Sequence, residues 1–326
     1  MTRLPLVVCL ACAWFFATNA LFSICIAFAE RSLLVRGIRA SATPFPGNAA
    51  LSARLLPSML AAVFVGGVFV PSFLAHEPNT GPEAVGWVLF AVAGATLAVC
   101  LAAIGRGVAA MLRARTIVQG WMGSASPLAL EGLSGTTVKA FAIDDRFPVV
   151  ALVGVWRPRL FIARHVLQVL TPGELRVAVA HELAHRAARD NGKRLLLCWS
   201  PDVLAWATAG RRLEQHWAAE AECAADARAA GDSRVRRVDL AGALVKVSRL
   251  AVAPHPSAPL FSTLHERGDV AARVGRLLTM APTGQRRRAG LPTTTVGLLF
   301  FAAVVLLPLA WSSVHGVTEA FLRLLP

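Results

Sequence analysis

Two histidines and a glutamate stand close together near the middle of the chain, in the order His181-Glu182-Leu183-Ala184-His185. On an α-helix, His181 and His185 are one turn apart on the same face, so both imidazoles can bind one metal ion. Zinc is the expected ion, because it binds neutral imidazole and accepts oxygen ligands in tetrahedral geometry. Glu182 would lie near the open position of that ion, where a carboxylate can move protons to and from a water molecule.

The residues before this motif predict a helix with a well-defined start. Thr171 and Glu174 have the spacing of a capping box, and Pro172 stands at the first helical position. The motif therefore lies two to three turns into a helix. The alternative is an amphipathic helix whose two histidines are only hydrogen-bonded, but the defined helix start and the spacing of all three residues favour a metal centre.

A catalytic zinc centre needs a third protein ligand, and acidic residues downstream can supply it. A second helix is predicted from about Arg211 to Ala230, ended by Gly231. On it, Glu222 and Asp226 are one turn apart, which predicts that Glu222 binds the metal and Asp226 orients a ligand histidine. Glu220 points elsewhere and is the weaker ligand candidate. The alternative is a solvated acidic face that balances nearby arginines.

These motifs together resemble the BlaR/MecR-type membrane zinc metallopeptidases. The resemblance rests on H-E-x-x-H followed by E-x-E-x-x-x-D, on the strand region 147–162 before the motif, and on Arg189-Asp190 after it. It covers residues 137–230 and the order of the membrane spans. It implies a zinc endopeptidase with one Zn2+ per chain, which cleaves a protein or peptide substrate.

The same resemblance suggests what the substrate class is and what the chain lacks. Signalling members of that family carry a penicillin-binding sensor domain after the last span, and a chain of 326 residues has no room for one. We expect regulatory proteolysis of a transcriptional repressor, a membrane protein or the chain itself. An HtpX/CAAX-protease-like quality-control enzyme is the alternative. Members of that class carry a longer insertion than the 36 residues that separate His185 from Glu222.

Composition indicates a membrane protein. The 326 residues are 56% hydrophobic and 16% charged, and the mean hydropathy is +0.57. The net charge is +14, but no basic-aromatic or zinc-finger pattern accompanies it, so nucleic-acid binding is disfavoured. The six cysteines show no disulfide framework. Apolar runs predict four spans, at residues 4–29, 55–75, 84–104 and about 293–314.

The sequence thus predicts an α-helical membrane protein with about four transmembrane helices and an α+β zincin-type (gluzincin) metallopeptidase domain. Residues 1–112 hold three spans, 113–292 the zinc domain, and 293–326 the fourth span with a short tail. A signal peptide is the alternative for the first apolar run. The loop 30–54 is basic and 76–83 lacks Lys and Arg, so the positive-inside rule places the zinc domain in the cytoplasm and both termini outside. Alanine- and arginine-rich usage without tyrosine is typical of a GC-rich bacterium, so we expect the spans to lie in a bacterial inner (cytoplasmic) membrane.

Within the large domain, strands are predicted at 138–143, 149–155 and 160–162, just before the metal-binding helix. A sheet edge there could hold an extended substrate, or the strands could serve packing alone. The segment 195–210 is apolar but too short for a full span, and a crossing would separate Glu222 from the histidines, so we expect a re-entrant or interfacial segment. His265, Arg273 or Arg276 could stabilise a reaction oxyanion. The sequence leaves open whether the protein forms a homo-oligomer.

Overall fold

The structure is a computed structural model, and it describes residues 3–35, 47–76, 86–130, 138–145, 147, 149–250, 261–263, 270–279 and 311–324. The first helices are α1 (Arg3–Val35), α2 (Gly47–Phe64), α3 (Val70–His76) and α4 (Trp87–Met122). The strands are β1 (Ser126–Leu128), β2 (Lys139–Ile143), β3 (Val150–Val153), β4 (Arg159–Ala163) and β5 (Phe261–Thr263). The later helices are α5 (Arg164–Val169), α6 (Pro172–Ala188), α7 (Asp190–Trp199), α8 (Thr208–Ala230), α9 (Arg234–Leu250), α10 (Val270–Thr279) and α11 (Trp311–Leu324).

The chain divides into two compact units. The first, called the apolar-helix unit, consists of Met1–Ile104, Ser200–Glu214 and Arg287–Pro326. The second, called the sheet unit, consists of Gly105–Trp199 and Gln215–Arg286. Each unit has its own cluster of buried apolar side chains.

Among the described residues, three helical segments are long and apolar enough to cross a membrane, at Leu4–Ser32, Asn48–His76 and Trp87–Met122. Each has 29 or more residues, whereas about 20 residues are enough to cross the hydrocarbon core. They overlap the first three predicted spans. The first two extend beyond the prediction, and the third begins at 87 instead of 84 and continues to 122. The predicted fourth span, 293–314, lies mostly outside the described residues, apart from the first residues of α11.

The second of these segments is irregular in its middle. A π-helical turn, Val65–Phe69, joins α2 to α3 and contains Gly66 and Gly67, and glycines favour such a local departure from the α-helix. Pro57 lies inside α2. One boundary predicted from sequence is wrong: Arg54 was placed in the basic loop 30–54, but it lies on α2 and is only 1% exposed. Its acidic partners, the buried Asp202 and the partly exposed Glu214, explain how an apolar helix can carry this charge.

The segment 195–210 is divided between three short elements. α7 ends at Trp199, a 3₁₀ turn covers Val203–Ala205, and α8 begins at Thr208. Asp202 caps the 3₁₀ turn, because its side chain accepts a hydrogen bond from the Ala205 backbone N–H. Pro201, which lies between α7 and the 3₁₀ turn, favours the end of α7 at this point. The re-entrant or interfacial position of the segment stays a prediction.

The sheet unit is built on a five-stranded sheet in the order β1-β2-β4-β3-β5. β2 and β4 are parallel, and the other neighbouring pairs are antiparallel. The three strands predicted from sequence are confirmed as β2, β3 and β4, because runs of β-branched and aromatic residues suit a buried sheet. The sequence did not predict the three-residue strands β1 and β5, because strands this short depend on pairing with neighbouring strands.

The core of this unit places the metal-binding helix against the sheet. Leu160, Phe161 and Ile162 of β4 are fully buried. α6 packs against β3 on one side and α9 on another. Gly242 of α9 allows this second contact, because a side chain there would meet the Glu174 carboxylate at 2.7 Å. α6 is thereby held as a rigid element, which a precise site requires.

Candidate metal centre

The helix that carries the motif begins as predicted. The Thr171 side chain accepts a hydrogen bond from the Glu174 backbone N–H, and the Glu174 carboxylate accepts one from the Thr171 backbone N–H. This satisfies two backbone donors at the helix start. Ten residues later His181 and Glu182 are fully buried, and His185 is 1% exposed. The inward face of α6 therefore presents its polar groups to the interior of the sheet unit.

The two imidazoles point their Nε2 atoms at one another and at Glu222. The His181 and His185 Nε2 atoms are 3.2 Å apart, and each lies 3.4 Å from an oxygen of the Glu222 carboxylate. One ligand atom from each of these three residues lies within 4.8 Å of the other two. The three residues therefore form a buried group that could hold a metal ion. Glu220 is not a member of it.

The outer nitrogens of the same imidazoles face carboxylates. His181 Nδ1 lies 3.0 Å from Asp226 Oδ1, and His185 Nδ1 lies 2.8 Å from Asp190 Oδ2. A carboxylate on Nδ1 keeps the proton there and leaves the Nε2 lone pair for a metal. The structure thus pairs Asp226 with His181, where the sequence left the choice of histidine open.

Sequence reasoning missed the role of Asp190. Arg189 ends α6 in the left-handed conformation, with φ of 56°, and this turn directs the next residue back toward the helix it has just left. Asp190 then starts α7 and is 2% exposed. Its carboxylate also forms an ion pair with the Lys193 ammonium, at 3.1 Å. The sequence signal that could have revealed this role is an acidic residue five positions after His185, at the end of the helix.

Arg273 of α10 joins the group from a distant part of the chain. Its Nε and Nη2 donate to the two oxygens of Asp226 at 2.9 and 2.6 Å, and Nη1 lies 3.1 Å from Glu222 Oε2. It is 2% exposed. The guanidinium therefore holds both acidic residues at once. The sequence predicted Arg273 as a possible oxyanion stabiliser, and the structure places it among the candidate metal-binding residues with these contacts. His265, another candidate for that role, lies outside the described residues.

Glu182 is held against the sheet. Its Oε2 accepts a hydrogen bond of 3.3 Å from the backbone N–H of Leu152 in β3, and its other oxygen is buried. Asn191 donates to the Leu152 and Gly154 carbonyls, at 3.1 Å each, and so fixes the same stretch of backbone. The carboxylate therefore sits beside a strand whose position is set from two sides.

The pKa values show how strongly these charges interact. Burial alone would lower the pKa of His185, but Asp190 and Glu222 outweigh it and raise the pKa to about 10. Burial also opposes the charged form of His181, and Asp226 and Glu222 raise its pKa nevertheless. For Glu222 burial favours the neutral acid, but the two histidines hold its pKa well below the usual range.

The donor set fits a divalent metal ion. Glu182, Glu222, Asp226 and Asp190 are all at most 5% exposed. Among the described residues, Arg273 forms ion pairs with Glu222 and Asp226, and Lys193 forms one with Asp190. With neutral histidines, these four carboxylates and two cations together carry a charge of −2, which one divalent cation would neutralise. Neither Glu222 oxygen accepts a well-aligned hydrogen bond from the described residues, although both are buried. Buried carboxylates without such partners are expected where they bind metals.

No protein-family model matches the chain, and no curated protein matches it either.

Proposed function

We propose that this protein is a membrane-embedded zinc endopeptidase of the gluzincin type, with one zinc ion per chain. The observation that carries the proposal is the convergence of His181, His185 and Glu222 beside the buried Glu182. Two imidazoles and one carboxylate are the ligand set that catalytic zinc takes in several peptidases, with one position left for water or substrate. His181, His185 and Glu222 would hold the ion.

The chain's own residues then have separate roles in hydrolysis. A bound zinc ion supplies a Lewis acid that polarises the scissile carbonyl and acidifies the attacking water. Glu182 takes the proton from that water and returns it to the leaving amine, and the Leu152 N–H holds its carboxylate during both transfers. Asp226 and Asp190 keep the Nδ1 protons in place, so the histidines stay in the ligand tautomer. Arg273 keeps Glu222 and Asp226 apart and in position.

The apolar helices support a location in a bacterial inner membrane, and the basic first loop supports a cytoplasmic zinc domain with both termini outside. The substrate would then be a protein at the cytoplasmic membrane face. Regulatory cleavage of a repressor, of a membrane protein or of the chain itself is the activity we propose. A reporter fused at position 80 should read extracytoplasmic, and one fused near 285 should read cytoplasmic. The reverse pattern would exclude cytoplasmic substrates.

The proposal is tested by comparing membranes that contain the wild-type protein with membranes that contain Glu182→Gln. This substitution removes the proton acceptor but keeps the shape and the metal ligands. We expect new protein N-termini with the wild type and none with Glu182→Gln, while zinc stays at about one per chain. The matched control is Glu220→Gln, which changes a glutamate outside the metal group.

The number of cleaved proteins separates the two functions under consideration. One or a few new N-termini would indicate regulatory proteolysis, and many would indicate quality control. Identical N-termini in the Glu182→Gln and wild-type membranes would contradict peptidase activity, whatever the zinc content.

A further inference from the structure

The hairpin between β3 and β4 carries an exposed tryptophan. Trp156 stands in the turn that joins these antiparallel strands and is 74% exposed. Arg157 and Arg159, which follow it, are exposed as well. Tryptophan with neighbouring cations is typical of segments that meet the surface of a lipid bilayer, because the indole has an apolar body and a polar N–H group.

Helix α7 also exposes apolar side chains. Gly192, Leu196 and Trp199 stand at positions i, i+4 and i+7, so they form a stripe on one face of the helix. Leu196 is 53% exposed and Trp199 is 39% exposed, whereas Leu195 and Leu197 of the same helix are buried. α7 therefore places apolar side chains both in the core of the sheet unit and on its surface. Grouped apolar side chains on a surface indicate a partner.

The tip of the hairpin packs on the start of the α7 stripe. A Cβ atom on Gly192 would lie 3.7 Å from Cγ1 of Val155, so the Val155 side chain covers this glycine at contact distance. Asn191 donates hydrogen bonds to two backbone carbonyls of the same hairpin. Trp156 directly follows Val155, and the hairpin tip and the stripe therefore belong to one surface. This surface, called the hairpin–helix surface, consists of Trp156, Leu196 and Trp199.

The other end of the stripe lies where α4 leaves its apolar stretch. Residues 87–105 of α4 carry no charged side chain, and Arg106 is the first charge on the helix. About 20 residues cross the hydrocarbon core, so a crossing by α4 would end near Arg106. A Cβ atom on Gly107 would overlap the Trp199 indole, which occupies the space beside this glycine. Trp199 then lies at the level of the membrane–water interface, where tryptophan is enriched in membrane proteins.

The charges of the hairpin and of α7 fit a phospholipid surface. The segment 150–160 and α7 together contain one acidic residue, Asp190, which is buried and contacts Lys193 and His185. Their four cationic residues are Arg157, Arg159, Lys193 and Arg194. Lipid phosphates are negative and attract lysine and arginine near the membrane surface. Cations beside apolar side chains, at the end of a helix that can cross a membrane, favour lipid over a protein partner.

We propose that the hairpin–helix surface binds the interfacial region of a phospholipid bilayer. Its three apolar side chains lie among the outermost parts of the acyl chains, and the hairpin arginines lie at the level of the lipid phosphates. The sheet unit is thereby held at the membrane by its own side chains. Because α7 begins with Asp190, which contacts His185, the surface lies one short helix away from the candidate metal centre. The contact with lipid depends neither on metal binding nor on peptidase activity.

The test measures what surrounds Trp156 in the full chain, reconstituted into vesicles of phosphatidylcholine and phosphatidylglycerol. The chain has 8 tryptophans, so the fluorescence of Trp156→Phe is subtracted from that of the wild type to isolate one signal. Two quenchers are compared, iodide, which stays in water, and phospholipid brominated on the acyl chain near the headgroup. We expect brominated lipid to remove most of the Trp156 signal and iodide to leave it nearly unchanged. The signal isolated with Trp199→Phe should respond in the same way.

The matched control is Val238→Trp, which adds a tryptophan on α9 at a 51% exposed position of the sheet unit, outside the hairpin–helix surface. The added signal should be quenched by iodide and not by brominated lipid. Trp156→Phe should melt at the wild-type temperature, because changes at exposed positions have little effect on stability.

The proposal is overturned if iodide quenches Trp156 as strongly as the control and brominated lipid does not, since the surface would then face water. It is also overturned if brominated lipid quenches the control as strongly as it quenches Trp156. Either result would leave the proposed peptidase activity untouched, because neither signal depends on zinc or on cleavage.

Discussion

Each unit buries a cluster of charged side chains, and the two clusters are balanced differently. In the apolar-helix unit, Arg54 donates to Asp202 at 2.6 Å and to Glu214 at 2.8 Å. The Ser58 and Ser200 hydroxyls also donate to Asp202, so the carboxylate has a full set of donors from the chain itself. Arg54 and Asp202 are at most 1% exposed. The charges of this cluster are therefore paired within the described residues of the chain.

Among its described residues, the cluster in the sheet unit has four buried carboxylates, and Arg273 and Lys193 form ion pairs with three of them. Nearby carboxylates also raise the pKa values of the two histidines. The difference supports the proposal of a metal ion at the second cluster, whereas the first cluster needs none. A buried charge is costly without a partner, so an excess of one sign is expected where a ligand supplies the other.

Removing a metal ligand should have the largest effect. His181→Ala, His185→Ala and Glu222→Gln each leave two of three ligands, so we expect purified protein to fall from about one zinc per chain to nearly none and to lose peptidase activity. Zinc content by elemental analysis checks this. His165→Ala is the control. Full zinc retention in Glu222→Gln would show that Glu222 is not a ligand and would make Glu220 the next candidate.

In the cluster of Arg54, Asp202 and Glu214, Arg54→Met should be the most damaging change. It leaves Asp202 buried without its cation, and breaking a buried ion pair in this way costs about 3–5 kcal/mol. We expect a large fall in the temperature at which the detergent-solubilised protein unfolds. Arg31→Met, on an exposed position of α1, is the control and should change stability by no more than about 0.5 kcal/mol. Equal unfolding temperatures for both variants would show that the cluster contributes little.

Replacing the carboxylates that orient the histidines should have an intermediate effect. Asp226→Asn and Asp190→Asn should each weaken zinc binding by roughly tenfold to a hundredfold. Asp226→Asn should also lower stability more, because it weakens the bidentate contact with the 2% exposed Arg273, whereas Lys193 beside Asp190 is 25% exposed. A zinc titration and a thermal melt of both variants measure this. Wild-type values for Asp226→Asn would assign it to a packing role.

The smallest effect is expected at the start of α6. Burial opposes ionisation of Glu174, but the bonds from Lys246 and the Thr171 backbone lower its pKa below the ordinary value. A lowered pKa in the folded state contributes stability above the unfolded value of about 4.3, and this is lost as pH falls through the folded pKa. Glu174→Gln should therefore cost about 1 kcal/mol at pH 7 and less near pH 3.

Melting curves of wild type and Glu174→Gln at both pH values measure this difference. Asp232→Asn, at an exposed position, serves as the control. A cost that stays constant between pH 7 and pH 3 would show that the charge of Glu174 is not what stabilises the helix start.

Features that depend on near neighbours in sequence were predictable. The capping box at Thr171, the helix through His181 and His185, strands β2 to β4 and three apolar helices all follow from patterns within one element. Glu222 and Asp226 were also found from sequence, since their spacing repeats the helical turn. In these cases the chemistry and the local structure are carried by the same few residues.

Contacts between distant segments were decided by tertiary structure alone. Arg54 meets Asp202 across 148 residues, and Arg273 meets Asp226 across 47. Sequence placed Arg54 in a loop, because an isolated arginine beside an apolar run has no visible partner. Asp190 was overlooked because only the left-handed turn at Arg189 brings it to His185. The sequence by itself determined which residues could bind a metal, and packing determined which charges surround it, because partners far apart along the chain leave no local pattern.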